Sequence, residues 1–300
     1  MENLKNCPVC GSEGMAPYLS CTDHTVSQQE FTVQKCGSCG FLFTNPRPDS
    51  KEIGPYYESK DYISHTNSKA GLFNKVYQTI RNVAIKQKIN LIWSLSPAAN
   101  LVDGKLSILD IGCGTGEFLA GCRNAGWVTK GIEPGDSARN MAIQNHKLDV
   151  KGEAELNTTT EKFDVITMWH VLEHVHNLNE RVEQLNRLLK ETGVLIIAVP
   201  NHTSFDAAQF GKHWAAWDVP RHLYHFSPSS LKNLLHKHGF QHVRSFPMKF
   251  DAYYVSLLST GYRDGKKSAL RGFLSGYKSN SKAKSDPEKY SSVIYAFKKG

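Results

Sequence analysis

The stretch Ser107-Ile-Leu-Asp-Ile-Gly-Cys-Gly-Thr-Gly-Glu-Phe118 constrains this chain more than any other. Ile108, Leu109 and Ile111 make the short apolar run of a strand covered on both faces, and a helical pattern resumes from Phe118. Between them Gly112, Gly114 and Gly116 let the backbone turn tightly and approach a ligand, because no Cβ stands in the way. The dinucleotide fingerprint needs a glycine where Glu117 stands, and that carboxylate would meet a pyrophosphate with like charge. A P-loop is excluded too, since no Lys-Ser or Lys-Thr follows the glycines. With Asp110 before the first glycine and Glu117 after the last, the turn suits a positively charged ligand.

Asp110-Ile-Gly-Cys-Gly-Thr-Gly116 resembles the first motif of the class I S-adenosylmethionine-dependent methyltransferases. Their methyl donor carries a sulfonium and an ammonium and no phosphate, in keeping with the flanking acids. The resemblance covers residues 101–300 and implies a doubly wound, mostly parallel, seven-stranded Rossmann-like sheet. It implies a donor held at Asp110, Gly112, Cys113 and Gly114. Glu133, about 20 residues beyond the turn with Pro134 beside it, is placed to accept both ribose hydroxyls. Asp136 is expected to cap the helix that follows, which leaves Glu133 for the ribose. The resemblance also gives Glu153 a contact with the adenine amino group.

The strand and helix pattern continues past this point. Strands are expected at 128–134, 148–152, 163–168 and 194–200, with helices at 118–125, 137–146 and 178–190, the last ended by Gly193. Trp169 and His170 leave the fourth strand at its carboxyl end, where an open parallel sheet binds ligands, and Trp169 is counted with the donor contacts. His170, Glu173 and His174 also spell H-x-x-E-H, an inverted zinc-protease pattern, which is read as coincidence because it leaves a sheet strand rather than lying inside a helix. The loop 201–226 is rich in His and Trp, and long ordered loops usually carry function. Its segment Trp217-Asp-Val-Pro-Arg-His-Leu-Tyr-His-Phe-Ser227 resembles one common in small-molecule methyltransferases. His222, or His170 at the strand end, could take a proton from a hydroxyl acceptor. With equal weight, His222 or His225 simply ties the loop to the sheet. Ser227 and Pro228 start a helix that Gly239 ends, and 240–248 with 292–297 are expected as an antiparallel edge. The Lys- and Ser-rich insertion 251–290 is expected to be mobile over 275–286, with no readable role.

Ahead of this domain, Cys7-Pro-Val-Cys10-Gly11 and Cys36-Gly-Ser-Cys39-Gly40 are two Cys-x-x-Cys knuckles separated by 25 residues. Four thiolates close a tetrahedral shell around zinc, with no open position, so the metal is expected to be structural and the ribbon, 1–46, to be an accessory. A ribbon this short should depend on that metal to fold. Residues 47–100 make a connector and an amphipathic helix over 69–95, with apolar positions at Leu72, Phe73, Val76, Ile80, Val83, Ile85, Ile89 and Ile92 and a stop at Pro97. Its expected place is beside the donor site or over the acceptor mouth.

The net charge of +8 comes from 260–300, with ten Lys/Arg against three acids, and 69–95, with five against none. The ribbon itself carries two Lys and four acids, so it would repel a phosphate backbone. No apolar run reaches the length of a span and the start lacks an apolar leader, so a cytoplasmic protein without a membrane partner is expected. The reading is methyl transfer from S-adenosylmethionine to a small or carbohydrate-like acceptor. An RNA methyltransferase using the ribbon as a reader, and a non-catalytic binding protein that kept the fold, stand as alternatives.

Overall fold

A computed structural model describes residues 1–58, 72–96, 105–266 and 268–300, with side chains from Arg81 onward in the first helix. The stop at Pro97 and the side chains of Leu72, Phe73, Val76 and Ile80 lie outside the described residues.

The ribbon contributes β1 (Met15–Thr22), β2 (Glu30–Cys36) and β3 (Leu42–Thr44), all antiparallel. Helix α1 (Leu72–Leu95) leads into β4 (Ser107–Ile111), the glycine turn and α2 (Glu117–Asn124). Then follow β5 (Val128–Ile132), α3 (Asp136–His146), β6 (Val150–Lys151), the single turn α4 (Glu155–Thr158) and β7 (Phe163–Trp169). After these come α5 (Leu178–Leu188), β8 (Leu189–Pro200), α6 (Phe205–Phe210), β9 (Tyr224–His225) and α7 (Pro228–Lys237). The chain closes with β10 (Phe240–Pro247), α8 (Asp251–Asp264), α9 (Ala269–Ala283) and β11 (Ser292–Lys299).

Seven strands form the expected sheet, in the order β10-β11-β8-β7-β4-β5-β6. β11 runs antiparallel to both neighbours and the remaining pairings are parallel. Alternation along β4 sorts its side chains between two cores. Leu109 and Ile111 join Leu178, Val182, Leu185 and Leu231 on one face. Ile108 joins Phe118, Leu119, Ala142 and Ile92 on the other, so α1 covers this second face and lies against α2. The order changes direction between β4 and β7, and the turn after β4 opens at that switch point.

Three local expectations are corrected. Gly193 does not end a helix: α5 passes directly into β8, and Gly193 lies where a Cβ would stand 3.0 Å from Asp164 O, which lets the two strands approach. Asp136 is not a cap but the first helical residue, paired with Arg139, behind Gly135. The stretch expected to be a mobile insertion is a helical hairpin. Its second helix buries Gly272, Gly276, Ser279 and Ala283 against α8, so close that Cβ atoms built on the two glycines would lie 2.7 Å from Leu257 Cα and Tyr253 Cα.

The ribbon does not stand apart. β3 pairs with β9 from the His-rich loop, Leu42 opposite His225 and Phe43 opposite Tyr224, so that loop completes the ribbon's four-stranded sheet. Phe41 and Phe43 then enter the main core beside Tyr224 and Phe226. Leu42, on the opposite face, packs with Trp214 and Trp217.

Gly276→Ala separates propensity from packing. Alanine favours a helix interior by about 1 kcal/mol, whereas an added methyl in a closed contact costs roughly 1–3 kcal/mol. The obstacle here is backbone, so urea unfolding should show a net loss of stability; a gain would mean that the hairpin is loosely packed.

Candidate active site at the carboxyl end of the sheet

β4 delivers the glycine turn to the sheet's carboxyl end. A Cβ on Gly112 would lie 2.4 Å from Val171 Cγ2, whereas one on Gly114 would meet nothing within 4 Å. Gly112 is therefore fixed by packing, and Gly114 borders open space with φ +55°. Glu133 braces this turn: its Oε2 accepts from Gly114 N at 2.8 Å and its Oε1 from Gly135 N at 2.9 Å. A carboxylate has about four acceptor positions, so these bonds orient it and leave capacity for hydroxyl donors.

Asp110 is buried beneath the turn and accepts from Thr167 Oγ1 at 2.6 Å. Burial lifts its carboxyl from 3.8 to about 7, against Thr167 and Lys88, which pull it down. Lys88 reaches in from α1, with Nζ 4.0 Å from the Trp169 ring centre and 5.6 Å from that of Phe118. Burial lowers its pKa while Asp110 and Asp251 oppose the fall. A cation of the protein thus fills ground that the acids make attractive to a cationic ligand. Trp169 Nε1, buried in the same region, has no hydrogen-bond partner among the described residues and can donate to a ligand. Cys113 and Pro134 lie in the turn and beside Glu133, and Pro134 O accepts from Arg139. Glu153 is engaged by Arg181 in an ion pair.

Four further groups converge beyond β7. His170, at the unusual φ of 57°, sets Nε2 2.9 Å from Asp251 Oδ2 and Nδ1 3.3 Å from Glu173 Oε1. Burial alone would lower its pKa, but Asp251 and Glu173 outweigh it and lift it to about 10. At neutral pH His170 is an imidazolium between two carboxylates, unsuited to take a proton. Glu173 is fully buried and held ionised: burial would raise its pKa, but the hydrogen bond and charge of His170 bring it down.

His174 and His222 have their tautomers written in the backbone. His174 Nδ1 lies 3.0 Å from Arg221 O, and His222 Nδ1 lies 2.9 Å from Ala216 O. A carbonyl oxygen only accepts, so each Nδ1 donates to it, and the neutral form of either ring has its lone pair on Nε2. Burial, then His222, depresses His174 to about 4, so it stays neutral. Glu173, His174 and His222 each bring one ligand atom within 4.8 Å of the others, able to receive a proton or hold a cation.

The ribbon fixes this loop. Thr44 Oγ1 donates to His222 O at 2.8 Å and lies 3.1 Å from His225 Nε2, and Leu223 N donates to Glu173 O at 2.8 Å. Buried Arg221 links Asp218, Tyr56 O and Thr25 Oγ1, tying the loop to the turn between β1 and β2. His225 is buried against Trp217, and burial holds its pKa well below the ordinary value.

At the ribbon's far end Cys7 and Cys39 have sulfurs 3.6 Å apart, and Cys10 and Cys36 3.5 Å. A tetrahedral zinc with bonds of about 2.3 Å separates its sulfurs by roughly 3.8 Å, so the four residues fit that metal. Gly11 and Gly40, both at positive φ, turn their amides onto Cys7 O and Cys36 O and close the two knuckles. Burial would raise the Cys36 thiol, but the amides of Cys39 and Ser38 outweigh it and bring it to about 7.

Sequence reasoning missed Lys88, Asp218 and Asp251, and set Glu173 and His174 aside. Lys88 had a signal: it falls within the helical stripe of Ile85, Ile89 and Ile92, where an apolar residue belongs.

A family model described as a methyltransferase domain matches residues 77–245. A ubiquinone biosynthesis O-methyltransferase of Bartonella tribocorum is 29% identical over 185 residues, which cover 56% of this chain and 74% of that protein. One of Glaesserella parasuis is 36% identical over 109 residues, 32% of this chain and 46% of its own. The crystal structure of magnesium protoporphyrin IX methyltransferase from Synechocystis PCC 6803 with bound SAH has a TM-score of 0.54 at 14% identity, over 84% of this chain and 100% of that one, a likeness of fold.

The sign of the Asp110 effect sets a pH dependence. Its folded pKa lies above the ordinary carboxylate value, so its stability contribution is full below about pH 4 and is lost as pH rises through 7. The melting temperature of the ligand-free protein should fall over that window more than that of Asp110→Asn, and identical profiles would remove Asp110 from the account.

Proposed function

The chain belongs to the methyltransferase domain family, and on that premise we propose that it moves a methyl group from S-adenosylmethionine to a hydroxyl of a small-molecule acceptor. The observation that carries this reading is the pairing, at one end of the sheet, of an acid-lined glycine turn with a loop that holds a bare imidazole nitrogen at His222. The names of the two O-methyltransferase relatives favour oxygen as the acceptor atom.

Gly114 and Glu133 would hold the ribose, and Asp110 and Trp169 would border the remainder of the donor. Once bound, S-adenosylmethionine supplies an electrophilic methyl. The chain's work is then in-line positioning and removal of one proton. His222 Nε2 takes the proton of the acceptor hydroxyl as the new oxygen–methyl bond forms. His174, Asp218 and Glu173 surround that nitrogen, and the carboxylates favour the resulting imidazolium. His170, already charged, orients Glu173 and Asp251 instead of serving as a base.

Cys7, Cys10, Cys36 and Cys39 would hold a structural zinc. Because β3 carries both the ribbon and the His222 loop, we infer that the metal supports turnover without touching the acceptor.

His222→Ala should lose about 10²–10⁴-fold in kcat while calorimetric binding of S-adenosylhomocysteine is kept. The assay is isotope-labelled methyl transfer to a panel of phenols, sugars and RNA. Label entering RNA alone would sink the small-molecule reading, and loss of cofactor binding along with activity would make His222 a structural tie. Cys36→Ser should release the metal, seen by elemental analysis, and lower turnover; full activity in the metal-free protein would sever the ribbon from the site.

A further inference from the structure

The hairpin of α8 and α9 is built in an unusual sense. A surface helix ordinarily buries its large apolar side chains and shows water its polar ones. In α9 the residues pressed against α8 are Gly272, Gly276, Ser279 and Ala283. The large apolar residues face outward: Leu270 is 69% exposed, Phe273 57%, Leu274 56% and Tyr277 59%. Their spacing of three and four residues puts them on one stripe, opposite the small residues. Phe273 stacks on Tyr253 with ring centres 5.2 Å apart, which holds the stripe's base without covering it. A contiguous row of four such side chains is a binding surface rather than scattered surface apolarity.

Charge identifies what the surface fits. Helix α9 contains Arg271, Lys278 and Lys282 and no acid, and all three are exposed on one flank of the stripe. Arg271 is partly neutralised by Asp264 at 3.2 Å, and Lys278 Nζ lies 5.3 Å from the Phe205 ring, a long stem along apolar surface. Residues 260–300 as a whole hold ten cations against three acids. A second copy of this chain would bring the same cations to the contact, so self-pairing is disfavoured. The exposed stripe has cations along one flank, the form of a helix that lies in the plane of a negatively charged bilayer surface.

We propose that α9 docks the protein onto anionic lipid membrane, with Leu270, Phe273, Leu274 and Tyr277 entering the headgroup boundary and Arg271, Lys278 and Lys282 meeting lipid phosphates. No helix among the described residues is long and apolar enough to cross a membrane, and this helix lies on one instead. The expectation of no membrane partner rested on the length of apolar runs, a test to which a surface helix is invisible.

Cosedimentation of the full chain with vesicles decides the matter. Binding to phosphatidylcholine mixed with phosphatidylglycerol should exceed binding to phosphatidylcholine alone by about tenfold or more. Leu270→Ser combined with Leu274→Ser should reduce it by about tenfold or more. The melting temperature should stay unchanged, because both side chains are exposed. Lys278→Gln with Lys282→Gln should weaken binding to the anionic vesicles and leave the small phosphatidylcholine signal as it is. Absence of binding to either vesicle, or undiminished binding by the serine variant, overturns the proposal. So does a concentration-dependent dimer in sedimentation velocity that the serine variant abolishes, which would give the stripe to a second copy.

Discussion

The short pairing of β3 with β9 is the contact on which the rest of the arrangement depends. A two-residue strand has little stability of its own, and Tyr224–His225 keeps its extended form because the ribbon offers it an edge. The ribbon is itself too small to hold that edge without its cysteine knuckles and without Phe41 and Phe43 buried in the main core. Order therefore passes from four sulfurs to a strand, from the strand to a loop, and from the loop to the Nε2 of His222. Arg221 is a second cross-link, with its guanidinium spread over the loop, the connector and the turn between β1 and β2.

The other organising quantity is charge at the sheet's end. Asp110, Glu133, Glu173, Asp218 and Asp251 gather there, and the cations that answer them are Lys88, His170 and Arg221. Glu173, Asp218 and Asp251 have cations close enough to stay ionised despite burial. Asp110 does not, because Lys88 influences it only from a distance and Thr167 gives one hydrogen bond. It is the acid in this set with room for more positive charge, and it stands directly beneath the turn that borders open space.

Much of the fold was legible because its signals are local. The glycine turn, the buried strands and the cysteine knuckles each require particular residues at particular spacings, whatever surrounds them. The site was legible in its strands and less so in its partners. Glu173 and His174 were visible as a motif, but the third member, His222, lies 48 residues after His174 in sequence, and only the fold brings it close. Asp251 opens a helix and looks like any first-turn acid until His170 is found against it. The hairpin was unreadable for a different reason: a helix whose buried face is Gly, Gly, Ser and Ala presents its composition inside out, and glycine and serine read as loop. The capping role given to Asp136 failed because Glu133 already reaches Gly135 N and the helix starts one residue early.

The Thr44 to His222 contact spans 178 residues of chain. At about 5–20 residues per second, a ribosome needs roughly 10–40 s to make the segment between them. Through that interval β3 is an open edge, with a row of unpaired amides and the side chains of Leu42 and Phe43 uncovered. The nascent ribbon has little to protect it except its brevity, three residues of strand, and its excess of acids over lysines. That like charge on neighbouring nascent chains is then also what keeps an unfinished edge from adding to another while it waits for its last strand.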